Sequence, residues 1–221
     1  MESWPAYLWY ELSYVICNSL MSLAFSFRVD GKANIPRTGP ALLIANHQSY
    51  LDPLVVGLAS RRHLAFLARK TLFRHRAFRW LIESLNAVPI DQEGVGKEGI
   101  KTVLEELKKG RAVVVYPEGE RTGHGGLNPL KPGIQLLIKR TQAPIVPIGI
   151  AGAYDALPRW RKLPRFSPLF LPAQKGAIAV VVGKPLDGKR FADMPREQVI
   201  AEMTAALQKV CARAERLRRK P

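Results

Sequence analysis

The sequence predicts an α/β fold, in which a layered sheet of about six to seven strands is covered by helices. Short apolar runs alternate with amphipathic stretches along most of the chain. Several of these runs are apolar on both faces, as expected of strands in a sheet that helices cover on each side. Because 47% of the 221 residues are hydrophobic, the chain can bury a core of this size.

Six segments have the length and composition of buried strands. Each is a short run dominated by alanine, valine, leucine or isoleucine. The predicted strands are residues 41–45, 63–68, 87–90, 112–116, 145–150 and 177–182.

Helices fit the segments between these strands. The clearest is predicted at residues 96–109, which carry an apolar face and are followed by Gly110 as a helix terminator. A second helix is predicted at 132–142, which begins with a proline, and a third at 194–219, which ends in a basic run. The proline-rich and basic residues 152–175 have no clear period, so we expect a long surface loop there.

The N-terminal segment differs from the rest of the chain. Between Trp4 and Phe27 the only charged residue is Glu11, and aromatic residues crowd the first turns. At about 100° per residue, most of its polar residues fall on one narrow arc and the remaining surface is apolar. We therefore predict that residues 1–27 form a membrane-associating helix and residues 28–221 form the α/β domain. Packing on the protein's own core is the alternative, and the pattern does not distinguish a crossing of the bilayer from a position in its surface.

The net charge restricts the candidate partners. The chain has 34 Lys and Arg against 18 Asp and Glu, a formal net charge of +16. Such a surface is attracted to polyanions, either nucleic acid or an anionic lipid surface. A nucleic-acid-binding protein interleaves aromatic with basic residues, whereas the N-terminal aromatic residues here lie in a stretch without lysine or arginine. The sequence therefore favours a lipid surface and predicts no binding of nucleic acid.

A first candidate site follows the strand predicted at residues 41–45, where the chain continues as Asn46-His47-Gln48-Ser49-Tyr50-Leu51-Asp52. Polar side chains at the end of a buried strand project from a rigid edge into a crevice. A carboxylate on the far ring nitrogen of a histidine fixes its tautomer, an arrangement suited to general-base catalysis. The competing hypothesis is that Asp52 only caps a helix, with Pro53 in its first turn, and that His47 only ends the strand.

A second candidate site follows the strand predicted at residues 112–116, with the sequence Tyr116-Pro117-Glu118-Gly119-Glu120-Arg121-Thr122. The Arg121 guanidinium can clamp phosphate oxygens, and a glycine allows backbone to approach a ligand closely. Lys131 lies at the start of the next predicted helix, where backbone N–H groups also favour anions. This cluster predicts an anion-binding site, and the alternative is a polar turn with an ordinary ion pair.

Together the two clusters resemble the lysophosphatidate acyltransferase family, which includes other glycerophospholipid acyltransferases. The HxxxxD motif runs from His47 to Asp52, the second motif covers 116–122, and a third motif is Val146-Pro147-Ile148. A weaker match is the basic stretch 66–70. The order of these motifs and their positions after strands also agree with the family, and the resemblance covers residues 28–152.

The resemblance implies transfer of a fatty acyl group from acyl-CoA or acyl-ACP to the sn-2 hydroxyl of 1-acyl-sn-glycerol-3-phosphate, giving phosphatidate. It implies that His47 is the general base, that Asp52 orients it, and that the activated oxygen attacks the thioester directly. Acceptor binding is implied for Glu118, Gly119, Arg121, Arg69, Lys70 and Lys131. Val146 and Pro147 are implied to contact the acyl donor or to be structural. No metal and no cofactor beyond the thioester are implied, and the expected location is the cytoplasmic face of a membrane, as a peripheral or monotopic protein.

Two residues depart from the family pattern. Gln92 stands where the family commonly has an arginine, and Glu120 stands where a small threonine or glycine is usual. An arginine–phosphate contact is one of the stronger hydrogen-bonded pairs, so its loss should weaken recognition of a phosphate. The same chemistry on a different lysolipid, or on an acceptor without phosphate, is therefore an alternative.

Two other mechanisms use the same residues. A metal hydrolase would take His47, Asp52, Glu118 and His124 as ligands, but the sequence has no paired spacing such as HExxH to support it. Ser49 is a conceivable nucleophile beside His47, whereas the resemblance implies that no acyl-enzyme forms.

Overall fold

The computed structural model describes residues 4–90, 96–171 and 174–219, and its strands form one seven-stranded sheet. The strands are β1 (Arg28–Asp30), β2 (Ala41–Ala45), β3 (Leu64–Arg69), β4 (Ala87–Ile90), β5 (Ala112–Val115), β6 (Ile145–Ala151) and β7 (Ala179–Val182). The α-helices are α1 (Trp4–Phe25), α2 (Asp52–Ala59), α3 (Arg76–Ser84), α4 (Lys97–Lys108), α5 (Gly133–Arg140), α6 (Ala153–Ala156) and α7 (Arg196–Arg218). The predicted α/β fold is confirmed.

The order of strands brings the two candidate sites to one edge of the sheet. The order is β1-β7-β6-β2-β5-β3-β4, and every neighbouring pair is parallel except β6 and β7. The central strand β2 pairs with β5 on one side and β6 on the other, with Ile44 opposite both Val115 and Pro147. Parallel neighbours end at the same edge, so the segments that follow β2 and β5 emerge side by side.

Helices cover the sheet on both faces. One core cluster joins inward-facing strand residues to α4, α5 and α7, and the other joins the opposite strand residues to α1 and α2. Every residue of β2, β5 and β6 is buried. These strands are apolar on both faces because both faces contact helices.

The predicted elements agree closely with the structure, and the differences lie at the sheet margin. All six predicted strands are present, and the three predicted helices correspond to α4, α5 and α7. Strand β1 was not predicted because it has three residues, none of them buried. Helix α3 was not predicted either, although its sequence is amphipathic, and none of its residues is buried in the core.

The N-terminal helix combines a packed inner face with an exposed apolar outer face. Met21 and Phe25 are buried in the core cluster beside α2, and the Tyr14 hydroxyl donates to the Leu58 carbonyl at 3.2 Å. The packing alternative is therefore correct for this inner face. The outer face exposes apolar side chains from Leu8, Trp9, Leu12, Val15, Ile16, Leu20 and Leu23. Within the described ranges, no helix has the length and apolar character that crossing a bilayer requires.

The expected surface loop is present after α6. This short helix is followed by irregular chain up to Leu171, and many of its side chains are exposed. Residues 172 and 173 lie outside the described ranges.

Asn46 extends the pairing of β2 with β6 by one residue and fixes the chain just before His47. Its buried side chain donates from Nδ2 to the Ile150 carbonyl at 3.0 Å and accepts the Ile150 N–H at 2.7 Å. The amide therefore occupies the place of a backbone partner and satisfies both polar groups of Ile150.

We expect Asn46→Ala to lower the free energy of unfolding by about 2–4 kcal/mol, because it leaves the buried N–H and carbonyl of Ile150 without partners. Urea unfolding followed by circular dichroism measures the change. Gln208→Ala, which removes an exposed amide on α7, should change stability by less than about 0.5 kcal/mol. Equal stability of the two variants would contradict the assigned role of Asn46.

Candidate active site

The centre of the site is a contact between His47 and Asp52. His47 Nδ1 lies 2.6 Å from Asp52 Oδ2, and the same oxygen accepts the backbone N–H groups of Gln48 at 2.5 Å and Ser49 at 2.8 Å. The Asp52 side chain is fully buried, whereas 12% of the His47 side chain is exposed. With Asp52 ionised, Nδ1 carries a proton and Nε2 of the neutral ring is left as an acceptor.

The hypothesis that Asp52 only caps a helix is wrong. Helix α2 begins at Asp52 itself, and Leu51 occupies the cap position without a side-chain hydrogen bond. The carboxylate turns back toward residues 47–49, where it accepts hydrogen bonds from the ring and backbone of the preceding segment. Asp52 thus shapes the loop that presents His47.

Tyr116 supports the imidazole from one side. Its ring stacks on the His47 ring with centroids 4.2 Å apart and an angle of 18° between the planes. The hydroxyl is buried, and burial together with the negative charge of Asp52 raises the pKa of Tyr116 well above its ordinary value. The phenol therefore stays neutral and acts as a rigid apolar support for the histidine.

Glu118 joins the two loops that carry the site. One carboxylate oxygen accepts the backbone N–H of His47 at 2.7 Å, and the other accepts the backbone N–H of Asn128 at 2.7 Å. The His47 carbonyl in turn accepts the Thr122 N–H at 2.8 Å. Burial raises the pKa of Glu118 to about 7, with a further contribution from Asp52, although the two N–H donors act in the opposite direction. Glu118 is thus a buried carboxyl group that titrates near neutral pH.

A cleft of about 510 Å³ opens beside this pair of loops, and we call it the basic cleft. Three of its lining side chains are basic and two are acidic. The lining residues are Glu118, Glu120, Arg121, Gly123, Asn128, Pro129, Leu130, Lys131, Pro132 and Arg159. Arg121 and Lys131, which the sequence assigned to an anion site, thus meet in one cleft.

Arg121 and Lys131 are held by local packing. The guanidinium carbon of Arg121 lies 3.9 Å from the ring centroid of Tyr50, so a cation–π contact ties it to the loop between His47 and α2. Gly119 has φ +75°, and a Cβ there would approach Cγ of Lys131 to 3.1 Å. Glycine is needed at this position both for the backbone and for the path of the lysine side chain.

Arg159 is a cleft residue that the sequence did not single out. It lies in the loop after α6, and its Nη1 is 3.7 Å from Oε2 of Glu120. Both side chains are about half exposed, at 48% and 59%. The sequence signal was the basic character of residues 152–175, but nothing in the spacing indicated which of those residues turns toward the site.

The other predicted binding residues are dispersed. Arg69 and Lys70 lie where β3 ends, and they are not among the lining residues of the basic cleft. Val146 and Pro147 are buried inside β6. Of their two predicted roles, this position favours the structural role over contact with the acyl donor. Gln92 lies outside the described residues.

In the described ranges, no three His, Cys, Asp or Glu side chains converge as a metal site.

Ser49 is committed to structure. Its hydroxyl donates to the Leu157 carbonyl at 2.6 Å and accepts the Leu51 N–H at 3.1 Å, and the residue is fully buried. A hydroxyl held in this way is not presented to a substrate, so the geometry does not favour Ser49 as a nucleophile.

The fold and these side chains define an α/β enzyme with a histidine–aspartate pair at the carboxyl edge of its sheet, beside a basic cleft. The family model described as Acyltransferase matches residues 26–151, more than half of the chain. This chain belongs to the Acyltransferase family and is an acyltransferase.

Curated relatives and a solved structure agree with this assignment. The chain is 28% identical over 189 residues to the 1-acyl-sn-glycerol-3-phosphate acyltransferase of Bacillus subtilis, covering 85% of this chain and 87% of the relative. It is 33% identical over 113 residues to the enzyme of the same name from Streptococcus pneumoniae, covering 50% of this chain and 41% of that one. The crystal structure of the 1-acyl-sn-glycerophosphate (LPA) acyltransferase PlsC from Thermotoga maritima superposes with a TM-score of 0.69 at 26% identity, covering 88% of this chain and 73% of that chain.

We expect the free energy of unfolding to contain a pH-dependent contribution from Glu118. The folded state raises the pKa of Glu118 from 4.5 to about 7, so it holds the proton more tightly than the unfolded chain does. Stability from this group is therefore present below about pH 4.5 and is lost as the pH rises through about 7, by roughly 3 kcal/mol in total.

Glu118→Gln cannot ionise, so its stability relative to the native protein should rise by about 3 kcal/mol between pH 4.5 and pH 8. Urea unfolding at several pH values measures the difference. Glu105→Gln, at an exposed position of α4, is the matched control and should track the native protein. If the native and Glu118→Gln curves run parallel, Glu118 does not titrate in this window.

Proposed function

We propose that this acyltransferase moves a fatty acyl group from a thioester to the sn-2 hydroxyl of 1-acyl-sn-glycerol-3-phosphate, giving phosphatidate. The observation that carries the proposal is the 2.6 Å contact between His47 Nδ1 and Asp52 Oδ2 beside the basic cleft. A positioned base and an anion site side by side suit an acceptor that has both a hydroxyl and a phosphate. The names of the relatives support the same acceptor.

In the proposed mechanism, His47 acts as a general base through Nε2. It removes the proton of the acceptor hydroxyl while the oxygen attacks the thioester carbonyl carbon, and a tetrahedral intermediate forms. The carbon–sulfur bond then breaks, and the leaving thiolate takes the proton back from Nε2. Asp52, buried against Nδ1, holds the ring orientation and stabilises the transient imidazolium charge. No acyl-enzyme is required.

The basic cleft is proposed to bind the acceptor phosphate. Arg121 and Lys131 provide fixed positive charge, and Arg159 adds a third cation from the opposite loop. Glu120 partly neutralises Arg159, with its Oε2 3.7 Å from Nη1 of the arginine. A phosphate dianion can replace this single carboxylate as the partner of Arg159, since it has more charge and more acceptor oxygens. Arg159 thereby offers a source of the charge that Gln92 does not supply.

Glu118 and Gly119 serve this site indirectly in the proposal. Glu118 uses both oxygens on backbone N–H groups, so it shapes the loop rather than offering a ligand atom. Gly119 gives Lys131 its path. Arg69 and Lys70, which do not line the basic cleft, are proposed to act through long-range attraction of anionic substrates.

The donor is proposed to be acyl-CoA or acyl-ACP, and the reaction is proposed to occur at the cytoplasmic face of a membrane. Both donors present a thioester on an anionic carrier, which suits a protein of net charge +16. The exposed apolar face of α1 supports a peripheral or monotopic association with lipid. A different lysolipid acceptor is the alternative, because Gln92 and Glu120 depart from the family pattern.

We expect His47→Ala to lower turnover by about 10²–10⁴-fold, the usual share of a general base. The assay is release of free thiol from palmitoyl-CoA in mixed micelles, with lysophosphatidate as the acceptor. His75→Ala, at an exposed histidine before α3, should retain the native rate. Near-native turnover of His47→Ala would exclude the proposed base. If thiol is released with another lysolipid but not with lysophosphatidate, the proposed acceptor is wrong and the proposed chemistry still holds.

We expect Arg159→Gln to raise the KM for lysophosphatidate by about 10–100-fold with little change in kcat, because it removes a charged hydrogen bond made in ground and transition states alike. Glu120→Gln should lower the KM, since it removes the competing carboxylate. Arg140→Gln, at an exposed position on α5, is the control for loss of one positive charge. If Arg159→Gln instead lowers kcat at unchanged KM, Arg159 does not bind the acceptor phosphate.

A further inference from the structure

We propose that residues 157–171, here called loop 157–171, insert into the surface of an anionic lipid bilayer and form a second membrane contact beside α1. This inference goes beyond the proposed reaction and adds to the association proposed for the N-terminal helix. It rests on the side chains that the loop exposes, on their charge, and on the contacts that join the loop to α1 and to the active site.

The loop exposes an unusual amount of apolar surface. Six large apolar side chains are exposed within twelve residues, and the two most accessible are 77% and 80% exposed. They are Trp160, Leu163, Phe166, Leu169, Phe170 and Leu171. Scattered exposed apolar residues are ordinary on a protein surface, but a contiguous set marks a contact with another apolar phase.

The charges of the loop indicate which partner covers these side chains. Arg159, Arg161, Lys162 and Arg165 alternate with the apolar residues, and residues 157–171 contain no Asp or Glu. Aromatic side chains interleaved with cations also suit nucleic acid, but the exposed leucines Leu163, Leu169 and Leu171 have no partner there. Together these side chains suit the headgroup region of an anionic bilayer, where the apolar groups enter the interface and the cations meet lipid phosphates. A second copy of this chain fits less well, because both copies carry a charge of +16.

The loop and α1 form one continuous surface. The Ser167 N–H donates to the Ala24 carbonyl at 2.8 Å, and the Leu169 N–H donates to the Leu23 carbonyl at 3.0 Å. Leu23 and Leu169 are both more than half exposed, so the apolar outer face of α1 continues directly into the loop. Helix α1 and loop 157–171 thus expose apolar side chains next to each other. Two neighbouring segments fix the orientation of the protein on a membrane surface better than a single helix can.

The loop also borders the active site. The Leu157 carbonyl accepts the Ser49 hydroxyl within the HxxxxD segment. Trp160 packs edge-on against Tyr154, and Tyr154 bonds to the loop between β5 and α5. Arg159, at the start of the same loop, lines the basic cleft. Insertion of the loop therefore brings the cleft to the depth of lipid headgroups, where the phosphate of a lysolipid lies while its acyl chain stays in the bilayer.

Sedimentation of the full-length protein with vesicles tests the proposal. One set of vesicles is phosphatidylcholine alone, and the other is phosphatidylcholine with an equal amount of phosphatidylglycerol. The double variant Leu163→Ser with Phe170→Ser removes exposed side chains, and we expect it to weaken partition into the mixed vesicles by about tenfold or more. Lys162→Gln with Arg165→Gln should weaken partition by at least about fivefold, and only where phosphatidylglycerol is present.

Lys101→Gln with Lys108→Gln is the matched control, because it removes two exposed positive charges from α4, on the opposite face of the sheet. It should partition as the native protein does. Circular dichroism and thermal unfolding verify that each variant is folded. Binding is measured without donor or acceptor, so a failure of the proposed reaction does not affect this result.

Three outcomes would count against the proposal. Partition of Leu163→Ser with Phe170→Ser equal to that of the native protein would show that the loop does not enter lipid. Loss of self-association in this variant by sedimentation velocity, with vesicle binding unchanged, would assign the surface to a second copy. If the α4 control variant weakens partition as much as Lys162→Gln with Arg165→Gln does, net charge alone explains the effect. Lys162 and Arg165 would then have no specific contact with lipid.

Discussion

The site depends on one buried oxygen, Oδ2 of Asp52. A buried carboxylate oxygen is costly unless hydrogen-bond donors replace its water, and at Oδ2 the His47 ring and the Gln48 and Ser49 N–H groups do so. Those three donors all belong to the turn between β2 and α2, so the carboxylate determines how this turn folds as well as how the imidazole points. Burial is the main reason that the pKa values of Glu118 and Tyr116 are raised, and the charge of Asp52 adds to both shifts.

Two carboxyl groups so close together divide their roles. Asp52 has three donors on one oxygen, whereas each oxygen of Glu118 has a single backbone N–H. At Glu118 burial outweighs these two donors and raises the pKa to about 7, so this carboxyl group retains a proton near neutral pH. A neutral or partly protonated Glu118 leaves the basic cleft with a larger excess of positive charge, which would favour the proposed acceptor phosphate. Asp52, which contacts His47, thus also influences the neighbouring basic cleft through Glu118.

The sequence alone predicted the features that depend on a local pattern of apolar and polar residues. Buried strands such as β2 and β5 are continuous apolar runs, and the polar segment after each one placed His47 and Arg121 at the same edge. Features that depend on tertiary contact were not predictable, such as β1, which is three residues at the sheet margin. Helix α3 was missed for another reason, because its amphipathic pattern is local but none of its side chains is buried in the core. Arg159 lies in a segment without periodicity, so only the path of the folded loop reveals that it reaches the cleft.

The position of the exposed apolar side chains explains how a lipid substrate can reach this site. Helices α4, α5 and α7 bury their apolar stripes against one face of the sheet. On the other face α1 packs beside α2, and α1 keeps an apolar stripe exposed. The backbone of that helix is hydrogen-bonded to loop 157–171, which in turn borders the basic cleft. An acceptor lipid would have to leave the bilayer almost completely to reach a site on the α4 face. In the proposed membrane-bound orientation, an acceptor on the loop side would need only to present its headgroup, so the cost of extracting its acyl chain from the membrane would be avoided.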